Sequence, residues 1–201
     1  MKQYKTVLKE AEASLSVSGQ EIRVASIIME DVFGMNFTKL MLDGDKEMPA
    51  ADYDKFISII KRVCSNEPYQ YVVGQAYFYE SYFKVTRATL IPRNETEELV
   101  DFVLNNEPDD GLTVVDIGTG TGAIGLTLAK HWQKNNVIVT DLSEETLDVA
   151  KENGAELGVT AAYLQGDLFE PLVAKGIKAD IIISNPPYIS EDEKHLMTQS
   201  V

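Results

Sequence analysis

Residues 113–125 read Thr113-Val114-Val115-Asp116-Ile117-Gly118-Thr119-Gly120-Thr121-Gly122-Ala123-Ile124-Gly125. The first five are mostly β-branched and predict a short strand. Glycines then alternate with threonines, and an apolar stretch from Leu126 to Ala129 and beyond predicts a helix. Strand, glycine turn and helix together are the geometry of a nucleotide-binding α/β fold. The glycines let the chain turn tightly and let a ligand approach the backbone. Gly120-x-Gly122-x-x-Gly125 matches the dinucleotide pattern literally, but that pattern alone is weak. Asp116 points to a different ligand: a carboxylate at the strand end repels a pyrophosphate and suits a cation.

S-adenosylmethionine carries two such cations, an α-amino group and a sulfonium, and no pyrophosphate. Two further signals follow in chain order. Asn136 to Thr140 predicts the next strand, and Asp141 ends it at about the separation expected for a ribose-binding carboxylate. A third strand is expected near Thr160 to Leu164, followed by Gly166-Asp167-Leu168-Phe169. Asp167 is placed to accept from an adenine amino group, and Leu168 to cover the ring. Taken singly, Asp141 and Asp167 also suit helix N-caps, Asp141 before a helix beginning near Ser143. At the ends of successive strands they line one cofactor.

The apolar run Ala179-Asp180-Ile181-Ile182-Ile183-Ser184 predicts a buried strand, and it ends in Asn185-Pro186-Pro187-Tyr188. The prolines have no N–H, so the backbone there offers mainly carbonyl acceptors. The Asn185 amide oxygen adds another. Such a corner can grip an –NH2 group by its hydrogens and leave the nitrogen lone pair facing elsewhere, while Tyr188 gives a planar group a surface to stack on. Methyl transfer to an amide or exocyclic amine requires that arrangement. A Pro-rich turn is the plain alternative, and the glycine motif weighs against it.

The order DIGTGTGAIGL, Asp141, GDLF and NPPYI resembles a class I methyltransferase of the glutamine N(5) type. Upstream, Tyr77 to Val85 followed by Leu90-Ile91-Pro92-Arg93-Asn94-Glu95-Thr96-Glu97-Glu98-Leu99-Val100 is similar to the linker of the release-factor glutamine methyltransferases. The resemblance implies a Rossmann-like, doubly wound sheet behind a small N-terminal helical bundle. It implies S-adenosylmethionine as cofactor, S-adenosylhomocysteine as product, and the GGQ-loop glutamine of class I peptide chain release factors as substrate. It further implies that Asn185 and the Pro186 carbonyl hold the substrate nitrogen, with Pro187 beside them and Tyr188 near the target. Cofactor contacts are implied for Asp116, Gly118, Thr119, Gly120, Thr121, Gly122, Asp141, Asp167, Leu168 and Asn185. The loop from Pro92 to Glu97 would close over the site. Two positions depart from the family pattern: Asn94 replaces a proline of the loop, and Glu80 stands where glycine is usual. The family runs well beyond the NPPY motif, so the expectation is an N-terminal part of the longer protein, with the strand ending at Ser184 as an open apolar edge.

Upstream of the motifs the chain predicts helices. Val7, Leu8, Ala11 and Leu15 recur at helical spacing; Ile22, Ala25, Ile28, Met29, Val32 and Phe33 form a second stripe ended near Gly34; Asp52 to Cys64 gives a third, with Pro68 as its stop. Tyr69 to Val85, rich in aromatic and β-branched residues, predicts a strand pair. The expected domains are a helical substrate-recognition domain at 1–74, a β-hairpin linker at 75–90 and a cofactor-binding domain at 91–201.

Composition narrows the class. Residues 1–75 hold 9 Lys/Arg and 11 Asp/Glu, whereas residues 76–201 hold 9 and 21. In the acidic part the carboxylates outnumber the cations that a sequence-independent grip on duplex DNA needs, and the charge chiefly serves solubility. That weighs against the alternative of a DNA adenine N(6)-methyltransferase, which uses the same corner on a flipped base. A glutamine methyltransferase acting on a ribosomal protein shares the chemistry and remains the nearest alternative. One Cys and two His make a zinc site improbable and no metal is expected. The lone Cys64, the charged start and the lack of a long apolar run lead to an expected cytoplasmic location, with no membrane partner.

Overall fold

The computed structural model describes residues 2–186. They form two compact units, one ending at Val73 and the other beginning at Gly74.

The first unit is helical: α1 (Tyr4–Val17), α2 (Arg23–Phe33), α3 (Phe37–Asp43), α4 (Ala50–Cys64) and α5 (Tyr69–Val73). Its core is the set of stripes read from the sequence. Val7, Ala11 and Leu15 of α1 meet Ala25, Ile28 and Met29 of α2 and Phe56, Ile59, Ile60 and Val63 of α4. Gly34 ends α2 in a left-handed conformation, φ 64°, which a glycine adopts without a side-chain clash. α4 ends at Cys64, as the stripe predicted, with Asn66 at φ 66° ahead of Pro68. Two details differ from expectation. Ile22 precedes α2 and is half exposed. Tyr69–Val73 is a helical turn, and only the residues after it pair as strands. Tyr69, Val72 and Val73 pack against the unit's apolar core, and that burial outweighs their β-propensity. The sequence reading also passed over α3, whose start is marked by Asn36: its side chain accepts from Lys39 N at 3.0 Å.

The second unit opens with an antiparallel hairpin, β1 (Gln75–Phe78) and β2 (Ser81–Lys84). Its two-residue loop places Tyr79 at φ 43° and Glu80 at φ 60°. Positive φ at both loop positions belongs to the hairpin turn whose twist matches the strands. There follow α6 (Glu95–Asn106), β3 (Thr113–Ile117), α7 (Ala123–His131), β4 (Asn136–Asp141), α8 (Glu144–Leu157), β5 (Ala162–Gln165), α9 (Glu170–Ala174) and β6 (Ile181–Ser184). The strands form a parallel sheet in the order β5-β4-β3-β6.

Alternate residues of these strands feed two cores, as a sheet buried on both faces requires. Val114, Val137, Val139 and Ile183 pack with Val100 and Val103 of α6, Leu126 and Leu128 of α7, and Phe78 and Phe83 of the hairpin. Val115, Ile117 and Ile138 face the other way, toward Leu172. The apolar run before Asn185 is less buried than expected. β6 lies at the sheet edge among the described residues, with Ile183 buried but Ile182 51% exposed. From β3 the order runs to β4 and β5 on one side and to β6 on the other. That reversal opens a crevice at the carboxyl ends of β3 and β6, where ligands bind in open α/β sheets.

Candidate functional site

A cavity of about 520 Å³ occupies that crevice, within the range of small-ligand sites. Residues 88–93 and Thr96 wall one side of it. The glycine turn, the ends of β4 and β5, and Ser184, Asn185 and Pro186 complete the lining.

The glycine turn is built on Asp116. This side chain is almost fully buried at the end of β3. Its Oδ2 accepts from Thr119 Oγ1 at 2.6 Å and from Gly125 N at 3.0 Å, so one carboxylate oxygen pins both ends of the turn. Its Oδ1 is buried with no hydrogen-bond partner. Burial pushes the carboxyl up to about 6; the bonds from Thr119 and Gly125 oppose that shift, and the charge of Asp141 adds to it. Gly125 admits α7 against the sheet: a Cβ there would stand 2.5 Å from Val139 Cγ1. Gly122 caps α7 at φ 83°.

Asp141 ends β4. Its Oδ2 accepts from Gly120 N at 3.0 Å and its Oδ1 from Ser143 N at 3.1 Å. Neither strand-end acid caps a helix. Ser143 caps α8, accepting from Thr146 N, and Phe169 occupies that position before α9. Asp167 is exposed at the cavity, and its carbonyl accepts from Glu170 N. Leu168 beside it has φ 43°, an unusual conformation for a leucine, which sets its side chain at the rim.

Gly118, Thr119, Gly120, Thr121, Asp141, Asp167, Leu168, Asn185 and Pro186 therefore line one cavity. Asp116 and Gly122 stand behind that lining: Asp116 shapes the turn and places its charge beneath it. Pro187 and Tyr188 lie outside the described residues. The region read as a loop from Pro92 to Glu97 is loop only to Asn94, since α6 begins at Glu95.

The sequence reading gave no individual contact to several lining residues. Thr96 sits in the first turn of α6 and its Oγ1 accepts from Asn185 Nδ2 at 3.1 Å. Thr146 Oγ1 donates to Ala88 O at 3.0 Å and ties the 88–93 wall to α8. Leu142, which follows Asp141, is 68% exposed and lines the cavity. Behind the lining, Asn153 is buried in α8. Its Oδ1 accepts from Lys84 N at 2.6 Å, and its Nδ2 donates to Thr121 O at 2.8 Å and Lys84 O at 3.1 Å. It joins the hairpin to the glycine turn, and nothing in a linear pattern marks it for that role. Only the position of Leu142, next to a strand-end acid, could have been flagged.

Two domain families match the chain: the PrmC N-terminal domain over residues 6–74 and the methyltransferase small domain over residues 94–200. The release factor glutamine methyltransferase of Enterococcus faecalis is 42% identical over 200 residues, covering 100% of this chain and 72% of that protein. The chain belongs to the release factor glutamine methyltransferase family. The Staphylococcus aureus member is 40% identical, again over 100% of this chain and 71% of its own length. Among solved structures, a ribosomal protein L11 methylase from Lactobacillus delbrueckii subsp. bulgaricus aligns at TM-score 0.41 and 30% identity, over 47% of each chain.

Membership of this family fixes the α/β class I methyltransferase fold, and the cavity fits the S-adenosylmethionine that such enzymes use. The glycine turn brings backbone groups to the cavity with the Asp116 side chain beneath it, and Asp141 and Asp167 add carboxylate acceptors to the lining. Leu142 and Leu168 add exposed apolar side chains. Among the described residues no group of His, Cys, Asp and Glu could hold a metal ion, and no helix is long and apolar enough to cross a membrane.

Proposed function

We propose that this chain transfers a methyl group from S-adenosylmethionine to the side-chain amide nitrogen of the GGQ glutamine in class I peptide chain release factors. One observation carries the reading: Asn185 and Pro186 close the same cavity whose other walls are the glycine turn, Asp141 and Asp167. A gripping corner for an –NH2 group thus adjoins a cofactor-shaped hollow. The family to which the chain belongs supports the choice of glutamine.

When bound, S-adenosylmethionine supplies an electrophilic methyl group on a sulfonium. The chain's own task is to make an amide nitrogen a usable nucleophile. That nitrogen's lone pair is delocalised into its carbonyl. The Asn185 side-chain oxygen and the Pro186 carbonyl each accept one N–H, which draws the nitrogen toward tetrahedral geometry and turns its lone pair toward the methyl group. Positioning of this kind lowers barriers by roughly 7–11 kcal/mol in well-oriented systems. The same acceptors stabilise positive charge as it develops on nitrogen; as the N–C bond forms the S–CH3 bond would break to a neutral thioether, and one of the two N–H protons would then pass to solvent to leave the neutral methylamide. Asp141 takes the ribose hydroxyls, Asp167 the adenine amino group, and Leu168 the ring face. The helical unit ending at Val73 recognises the release factor, and the work is done in the cytoplasm.

The test uses labelled cofactor with a release factor, a ribosomal-protein mixture and duplex DNA. Label should appear on the release factor and vanish when its GGQ glutamine is replaced. Label confined to ribosomal protein or DNA would refute the substrate. Asn185→Ala should abolish turnover while sparing cofactor affinity; equal loss of both would refute its role toward substrate.

A further inference from the structure

We infer that Thr96 is a positioning residue for methyl transfer, holding the Asn185 carboxamide against rotation at the cavity wall. The inference rests on the function proposed above and deepens it. A planar Asn side chain has an oxygen end and an NH2 end of nearly equal shape. Rotation by half a turn exchanges an acceptor for two donors. A substrate –NH2 group needs the acceptor. Presented with the Asn185 NH2 end, it meets donor against donor and the grip fails.

The structure holds one end in place. Asn185 Nδ2 donates to Thr96 Oγ1 at 3.1 Å in a partly buried setting, across 89 residues of sequence. With the nitrogen engaged there, the oxygen occupies the opposite corner of the amide plane. Thr96 is itself well anchored. It lies in the first turn of α6, and its N–H donates to Arg93 O at 3.0 Å. The next residue, Glu97, accepts from Tyr79 N of the hairpin loop through Oε1 at 2.9 Å. From the other side, Ser184 Oγ donates to Ile117 O at 2.8 Å and fixes the strand end that carries Asn185. The first turn of α6 and the residue just past β6 thus meet through this side-chain hydrogen bond at the cavity wall.

The experiment compares wild type, Thr96→Val and Thr96→Ser. Valine keeps the β-branched shape and removes the hydroxyl; serine keeps it. The readouts are kcat and KM for methyl transfer to the glutamine substrate, cofactor Kd by calorimetry, and Tm. Thr96→Val should lower kcat about three- to tenfold, the scale of one hydrogen bond, with cofactor Kd unchanged. Thr96→Ser should keep most of kcat. A Thr96→Val enzyme with wild-type kcat overturns the role. So does a serine variant that falls as far as valine. Wild-type enzyme that transfers nothing to glutamine overturns the proposed function itself and this role with it, an outcome distinct from those two.

Discussion

Replacing Asp116 with asparagine should change how stability depends on pH. The wild-type carboxyl is buried and is raised from its ordinary 3.8 to about 6. The native state therefore holds this proton more tightly than the unfolded chain does. Its stabilising contribution is complete below the unfolded value and is lost as pH rises through about 6. A shift of about two units corresponds to about 3 kcal/mol in all. Of this, roughly 1.4 kcal/mol falls between pH 5 and 8, a window clear of the isoelectric region. Asparagine keeps an oxygen for the bonds from Thr119 and Gly125 and does not titrate. Urea unfolding of both proteins at half-unit steps from pH 5 to 8 gives the difference in stability at each pH, in which all other titrating groups cancel. That difference should move by roughly 1.4 kcal/mol in favour of the variant as pH rises. A difference constant across the window would show that Asp116 titrates normally and would refute burial as the cause of a raised carboxyl.

Two further outcomes follow from local geometry. Glu80→Gly should stabilise the chain by about 1 kcal/mol, because a left-handed residue with a Cβ costs about 1–2 kcal/mol and the extra unfolded freedom of glycine offsets part of the gain; a thermal scan should show Tm higher by about 2–4 °C, and a lower Tm would refute strain at that position. Asn153→Ala should destabilise by about 3 kcal/mol, since it removes three hydrogen bonds and leaves the buried Thr121 carbonyl and the partly buried backbone groups of Lys84 unpaired. It should also speed amide exchange in the glycine turn, whereas a loss below about 1 kcal/mol with unchanged exchange would mean that the turn does not depend on the hairpin.

The Glu80 case shows how sequence and structure inform one another. The sequence marked the position as a departure from a family glycine, and only the hairpin geometry explains the preference: φ is 60° there. Tyr69–Val73 shows the opposite relation. Its residues favour strands, yet their apolar side chains complete the core of the helical unit, and tertiary burial decides the conformation. Asp116 lies between the two. Its position at a strand end before glycines identified it as important, but its bonds to Thr119 and Gly125 make it a support of the turn, behind the cavity lining.

The sequence by itself determined the strand–glycine–helix unit, the succession of strand-end acids, and the acceptor-rich corner at Asn185. Each is a local pattern, set by backbone sterics, by the period of hydrophobic burial, or by the donors and acceptors of adjacent residues. What only the tertiary structure decided are the pairings between distant segments. Thr96 meets Asn185, Thr146 holds Ala88, and Asn153 binds both Lys84 and Thr121. Such contacts depend on strand order and on where each helix crosses the sheet. They leave no periodic trace in the chain, because a hydrogen bond constrains the distance between its partners in space and not their spacing in sequence.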